Sequence, residues 1–110
     1  MIELVIKEYL DKFVSVPVYL EEPIEKPPKY VLFEKTGSSE SDKIKKATFA
    51  FQSYAESTYE ACKLNEEIKT ILDNIIYYTD ISKSKINSDY IFTDTQRKRY
   101  RYQAVYDFTY

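Results

Sequence analysis

The sequence predicts an α+β protein, with two helices packed on a mostly antiparallel sheet in the order α-β-β-β-α-β-β. Three observations carry this. Apolar residues recur at helical spacing in two separate segments. Period-two alternation runs through the middle and the end of the chain. The aromatic content is twelve Tyr and six Phe with no Trp, a composition enriched in strands and at interfaces because Tyr joins a large apolar ring to a polar tip.

Ile2, Val5, Ile6, Tyr9, Leu10 and Phe13 form one face of an amphipathic helix over 2–13, and Glu3, Lys7, Glu8, Asp11 and Lys12 fill the other. Val14–Leu20 turns β-branched and extended. Pro17 cannot donate to a ladder, so this segment is an edge strand or an extended stretch. Pro23, Pro27 and Pro28 mark Glu21–Pro28 as turn and linker. Tyr30–Lys35 reads as a strand. Its unbroken apolar run Tyr30–Phe33 predicts cover on both faces, by a helix on one side and a neighbouring subunit on the other.

Thr36–Lys43 is polar and small, and is expected to be a mobile loop. A third strand follows over about 44–54, with Ala47, Phe49 and Phe51 on one face and Thr48, Ala50, Gln52 and Tyr54 on the other. Ser57-Thr58-Tyr59-Glu60 is a capping box. It opens a helix to about Ile76 that buries Ala61, Leu64, Ile68, Ile71, Leu72 and Ile75 and leaves Lys63, Glu66, Glu67 and Lys69 solvated.

Two strands end the chain. Ile86, Ser88, Tyr90 and Phe92 are expected on one face, matched to Tyr100, Tyr102, Ala104, Tyr106, Phe108 and Tyr110. Pairing Phe92 with Tyr100 keeps the faces together and leaves Thr95-Gln96-Arg97 as a three-residue loop between Asp94 and Lys98. The same alternation sets Arg97, Arg99 and Arg101 on the face opposite the tyrosines. The run is therefore read as a solvated strand or a charged protein contact, not as a mixed basic-aromatic nucleic-acid surface.

Composition narrows the function classes. The 110 residues fit one domain, 1–110. A net charge of −2 gives no general attraction to nucleic acid or anionic membrane. No apolar run approaches the ~20 residues of a bilayer span, and Met1-Ile2-Glu3-Leu4 does not read as a signal peptide. One glycine, Gly37, rules out glycine-rich phosphate loops, and the lack of histidine rules out His-based triads and ordinary zinc sites. Cys62, the single cysteine, forms no internal disulfide and is expected to be semi-buried. Asp80, Asp89 and Asp94 lack a calcium-loop pattern. The expectation is a non-enzymatic protein with no catalytic, cofactor-binding or metal residues.

Pro28-Lys29-Tyr30-Val31-Leu32-Phe33-Glu34-Lys35-Thr36-Gly37, the strand Ala47–Ala55, the helix opening Glu56-Ser57-Thr58-Tyr59-Glu60-Ala61 and the closing hairpin with Arg99-Tyr100-Arg101-Tyr102 together resemble the tail terminator (tail completion) proteins of long-tailed bacteriophages. The resemblance spans about Ile2–Tyr110. It implies a structural virion protein, made in the host cytoplasm, that caps the head-proximal end of the tail tube as a hexameric ring. Such a protein stops tube polymerisation and presents a joining surface to the head. The implied partners are further copies of itself, the major tail tube protein and a head completion protein, with no cofactor, specific nucleic acid or membrane. The interface residues expected on this basis are Gly37, Ser38, Ser39, Glu40, Ser41, Asp42 and Lys43, facing the tube, and Asp94, Arg97, Lys98, Arg99 and Arg101, touching a neighbouring subunit or the tube. The alternative is a small adaptor or regulatory module that uses the same sheet to bind one partner.

Overall fold

A computed structural model describes residues 1–94 and 99–110. The order is α1 (Ile2–Phe13), β1 (Val18–Tyr19), β2 (Tyr30–Ser41), β3 (Ile44–Ala55), α2 (Thr58–Asp73), a 3₁₀ turn (Ile75–Tyr77), β4 (Lys83–Ile91) and β5 (Tyr100–Thr109). The α+β class and the element order are those expected. The five strands lie in the order β1-β2-β3-β5-β4; β1 runs parallel to β2 and every other pair is antiparallel.

Both helices cover one face of the sheet. From α1, Ile6 and Leu10 are fully buried; from α2, Ile68 and Leu72 are. They close over Val31, Phe33, Phe49, Phe51, Ala104, Tyr106 and Phe108, all at 0% exposure. The phenyl rings interlock: Phe33 stacks on Phe51 at 5.4 Å, and Phe108 meets Phe51 edge-on at 6.2 Å. Each such side chain contributes roughly 1.5–3 kcal/mol on burial. Ser57 caps α2 as predicted, its Oγ accepting from the Glu60 backbone N–H at 3.1 Å. The Glu60 carboxylate, however, accepts from Lys29 Nζ at 2.6 Å, which ties the helix start to the proline-rich segment.

Four expectations need correction. First, Thr36–Lys43 is not a loop. β2 continues to Ser41, and only Asp42 and Lys43 turn, with φ of 51° and 65°. Two central residues at positive φ make the mirror-image tight turn that suits the twist of a hairpin. Lys43 is a poor sequence signal for it, and Ser and Glu residues do not advertise a strand. Second, the expected neighbouring subunit is not what covers Tyr30. Tyr30 is 3% exposed because Tyr19, Tyr54 and the segment bearing Glu22 cover it from within the chain.

Third, the β4–β5 register slips. Ile86 pairs with Tyr106 as predicted, but Asn87 is an extra residue, so Tyr90 lies opposite Gln103 and Ile91 opposite Tyr102. The Phe92 N–H donates to the Arg101 carbonyl, and Asp94 bridges to Arg99. A bulge adds one residue to one strand and so reverses every face beyond it. Tyr90 and Phe92 therefore leave the face of Tyr102. The expected loop Thr95-Gln96-Arg97 and its partner Lys98 lie outside the described residues.

Fourth, Lys69 and Glu67 are structural. Lys69 Nζ sits 2.6 Å from Asp89 and 2.8 Å from Glu66, and these carboxylates hold its pKa well above the usual lysine range. Glu67 accepts from both the backbone N–H and the hydroxyl of Ser15, fixing the exit of α1 against α2.

A left-handed conformation at a non-glycine residue costs about 1–2 kcal/mol. Lys43→Gly is expected to stabilise the protein by about 1 kcal/mol and raise Tm by several degrees in thermal denaturation followed by circular dichroism. Ser53 is fully buried on the helix side of β3, and its hydroxyl has no hydrogen-bond partner among the described residues. Ser53→Ala is expected to leave stability unchanged or raise it by about 1 kcal/mol in urea denaturation.

Candidate functional site

The helix-free face of the sheet gathers side chains from four strands. Strand alternation places Tyr30, Leu32 and Glu34 of β2 there, with Thr48, Ala50, Gln52 and Tyr54 of β3. The odd-numbered residues of β5 (Arg101, Gln103, Val105, Asp107) complete it, opposite Ser88 and Tyr90 of β4. Tyr30 and Tyr54 stack nearly parallel at 4.6 Å. The Arg99 guanidinium lies 4.6 Å from the centre of the Tyr54 ring and hydrogen-bonds Tyr30 and Glu22. Arg101 lies 4.2 Å from the Phe92 ring centre, and its guanidinium also donates to the Tyr54 hydroxyl at 2.8 Å and the Phe92 carbonyl at 2.6 Å.

The face is thus a mixed basic-aromatic surface, contrary to expectation. The arginines meet the aromatics of other strands, which alternation within β5 alone does not reveal. Both guanidinium groups are occupied inside the chain. A hydrogen-bonded ladder continues across the sheet: Tyr54 to Gln52, Gln52 to Gln103 at 3.0 Å, and Gln103 to Tyr90. Thr48 and Asn87 both donate to Asp107. A face with its donors and acceptors paired this fully is satisfied without a cover.

The two sheet edges differ from the face. β1 pairs with β2 only at Val31 and Leu32. From Glu34 to Ser41, β2 is exposed along its whole length, and no strand lies on its outer side among the described residues. Gly37, Ser38, Ser39, Glu40 and Ser41, expected in a tube-facing arm, stand on this edge, with Asp42 and Lys43 at its tip. β4 is the opposite edge and carries exposed Ile86, Tyr90 and Ile91, followed by Phe92. Unpaired strand edges present rows of backbone donors and acceptors and are templates for another strand.

A further apolar patch was not foreseen. Tyr9, Phe13 and Tyr78 cluster with ring centres 4.9–5.8 Å apart where α1 ends beside the 3₁₀ turn. Phe13, Tyr77 and Tyr78 remain largely exposed. The Tyr77-Tyr78 pair just after the helix was its sequence signal. Of the remaining expected interface residues, Asp94 bridges to Arg99, while Arg97 and Lys98 lie outside the described residues. Cys62 is half-buried on α2. Among the described residues no group of three or more Cys, Asp or Glu side chains is placed to hold a metal, and no helix is long and apolar enough to cross a membrane.

Partial burial raises the Glu22 pKa, but hydrogen bonds from Tyr30 and Arg99 outweigh it and hold the carboxyl below the usual range. A carboxyl depressed in the folded state adds stability above its unfolded pKa and loses it as pH falls through the folded value. The wild type is therefore expected to lose stability below about pH 4.5, and Glu22→Gln to be less stable at neutral pH with a shallower acid limb. Denaturant midpoints measured from pH 3 to 7 check both. No protein-family model matches this chain, and no curated protein matches it.

Proposed function

We propose that this chain is a structural assembly protein of the tail-terminator type. It caps the head-proximal end of a phage tail tube as a ring of identical copies and offers a joining surface to the head. The carrying observation is a sheet that, among the described residues, is left open at both edges, on a molecule whose polar open face is satisfied within the chain. Ring closure needs two different patches that fit each other on every copy, and the β2 and β4 edges are two such patches. The near full-length likeness of the sequence pattern to tail terminators supports the same reading. On it the major tail tube protein meets the end of the molecule bearing the Asp42–Lys43 turn, and a head completion protein meets the opposite side.

A second reading rests on the Tyr9–Phe13–Tyr78 patch. Exposed aromatic clusters mark protein docking sites, and a small adaptor would use this one to hold a single partner. Electron microscopy of the purified protein, alone and mixed with tail tubes, separates the two. Rings on one end of the tubes are the expected result. Bare tube ends, with protein that stays monomeric at every concentration tested, would refute the tail reading.

A further inference from the structure

We infer that copies of this chain join head to tail by strand addition, β4 of one copy pairing antiparallel with the outer edge of β2 of the next. This names the joint of the proposed ring and rests on that reading for closure. The pairing itself is argued from the two edges.

Direction comes first. β2 is antiparallel to β3, β3 to β5 and β5 to β4, so β4 and β2 run in opposite senses at the two ends of one sheet. A second copy in similar orientation therefore continues the antiparallel ladder. Register comes next. Each edge strand carries one bulge, Thr36 in β2 and Asn87 in β4. The faces match along the ladder when the two bulges fall one step apart, and in one such register Asn87 faces Gly37 and Thr36 faces Ser88. It places Ile86 against Ser38 and Asp89 against Lys35, both on the helix side, with Lys85 against Ser39 and Tyr90 against Glu34 on the open side. The large Ile86 and Lys85 of β4 then meet the small Ser38 and Ser39 of β2.

Gly37 supplies an independent observation. Its φ is not positive, and a Cβ placed there would meet nothing within 4 Å. Inside the monomer the adjoining Thr36 bulge is one reason for a glycine here. Glycine within a strand marks close approach of another backbone, and in this register Gly37 lies where the bulged β4 of the neighbour comes nearest. The ladder is roughly 25 Å long, a slender contact beside the roughly 800 Å² per partner of a stable interface. Dilute protein is therefore monomeric, and joining occurs at high concentration or on a template.

The test is disulfide trapping in full-length protein carrying Cys62→Ser. Ser38→Cys and Ile86→Cys together in one chain should give, on oxidation of concentrated protein, a reducible ladder extending beyond dimers. A mixture of the two single variants should stop at dimers, and Ser39→Cys with Ile86→Cys, on opposite faces, should give no ladder. Gly37→Val in the trapping variant should keep the circular dichroism spectrum and abolish the ladder. Failure of Ser38→Cys/Ile86→Cys to cross-link, equal self-linking of Ile86→Cys alone, or an undiminished ladder with Gly37→Val would overturn the joint. Rings on tail tubes without this cross-link would refute the joint and leave the tail reading standing. A ladder from protein that ignores tail tubes would do the reverse.

Discussion

The packed aromatic layer of Phe33, Phe49, Phe51, Tyr106 and Phe108 governs the rest of the molecule. These rings lie on the three central strands and point to one side, where α1 and α2 seal them from water. Because side chains alternate along a strand, fixing this face fixes the other. Phe51 opposite Ala104 requires Gln52 opposite Gln103 and Tyr54 opposite Arg101. The position of each polar and aromatic group on the open face is thus a consequence of where the phenyl rings must go.

That open face shows how an antiparallel sheet can leave one side wet without leaving it unsatisfied. Tyr30 and Tyr54 are almost fully buried there, yet both hydroxyls are hydrogen-bonded, and the arginines lie along the rings and take Glu22 and the Tyr54 hydroxyl as partners. The proline-rich segment between β1 and β2 is held down by two acid–base pairs, Glu22 with Arg99 and Lys29 with Glu60. Single exposed pairs are worth little. Here they act with the Tyr19–Tyr30 edge contact, so the segment forms part of the wall around Tyr30.

With the faces accounted for, the unspent bonding capacity lies at the edges. Among the described residues β3 and β5 are each paired on both sides, whereas β4 and most of β2 are paired on one. A bulge usually blunts an edge by twisting it out of line. In the proposed joint the two bulges fall one step apart, and the device that deters indiscriminate pairing selects a register for one partner. The β4 bulge blunts an edge that exposes Ile86, Tyr90 and Ile91.

The sequence by itself determined the elements whose signals are local: the amphipathic stripe of α1, the Ser57 cap and apolar stripe of α2, the alternation through β3 and β5, and hence the α+β class. It read Gly37–Ser41 as a polar surface segment, though as a loop and not as part of β2. Tertiary structure decided what depends on pairing. Glu34–Ser41 has no strand-like composition and becomes β2 only because β3 lies beside it and Asp42-Lys43 accepts a strained turn. The Asn87 bulge leaves no mark on the residue pattern, yet it reverses Tyr90 and Phe92 and brings Arg101 over an aromatic ring. Periodicity reports which residues of one strand share a face; which strands adjoin, and with what register, is settled by the core that packs them.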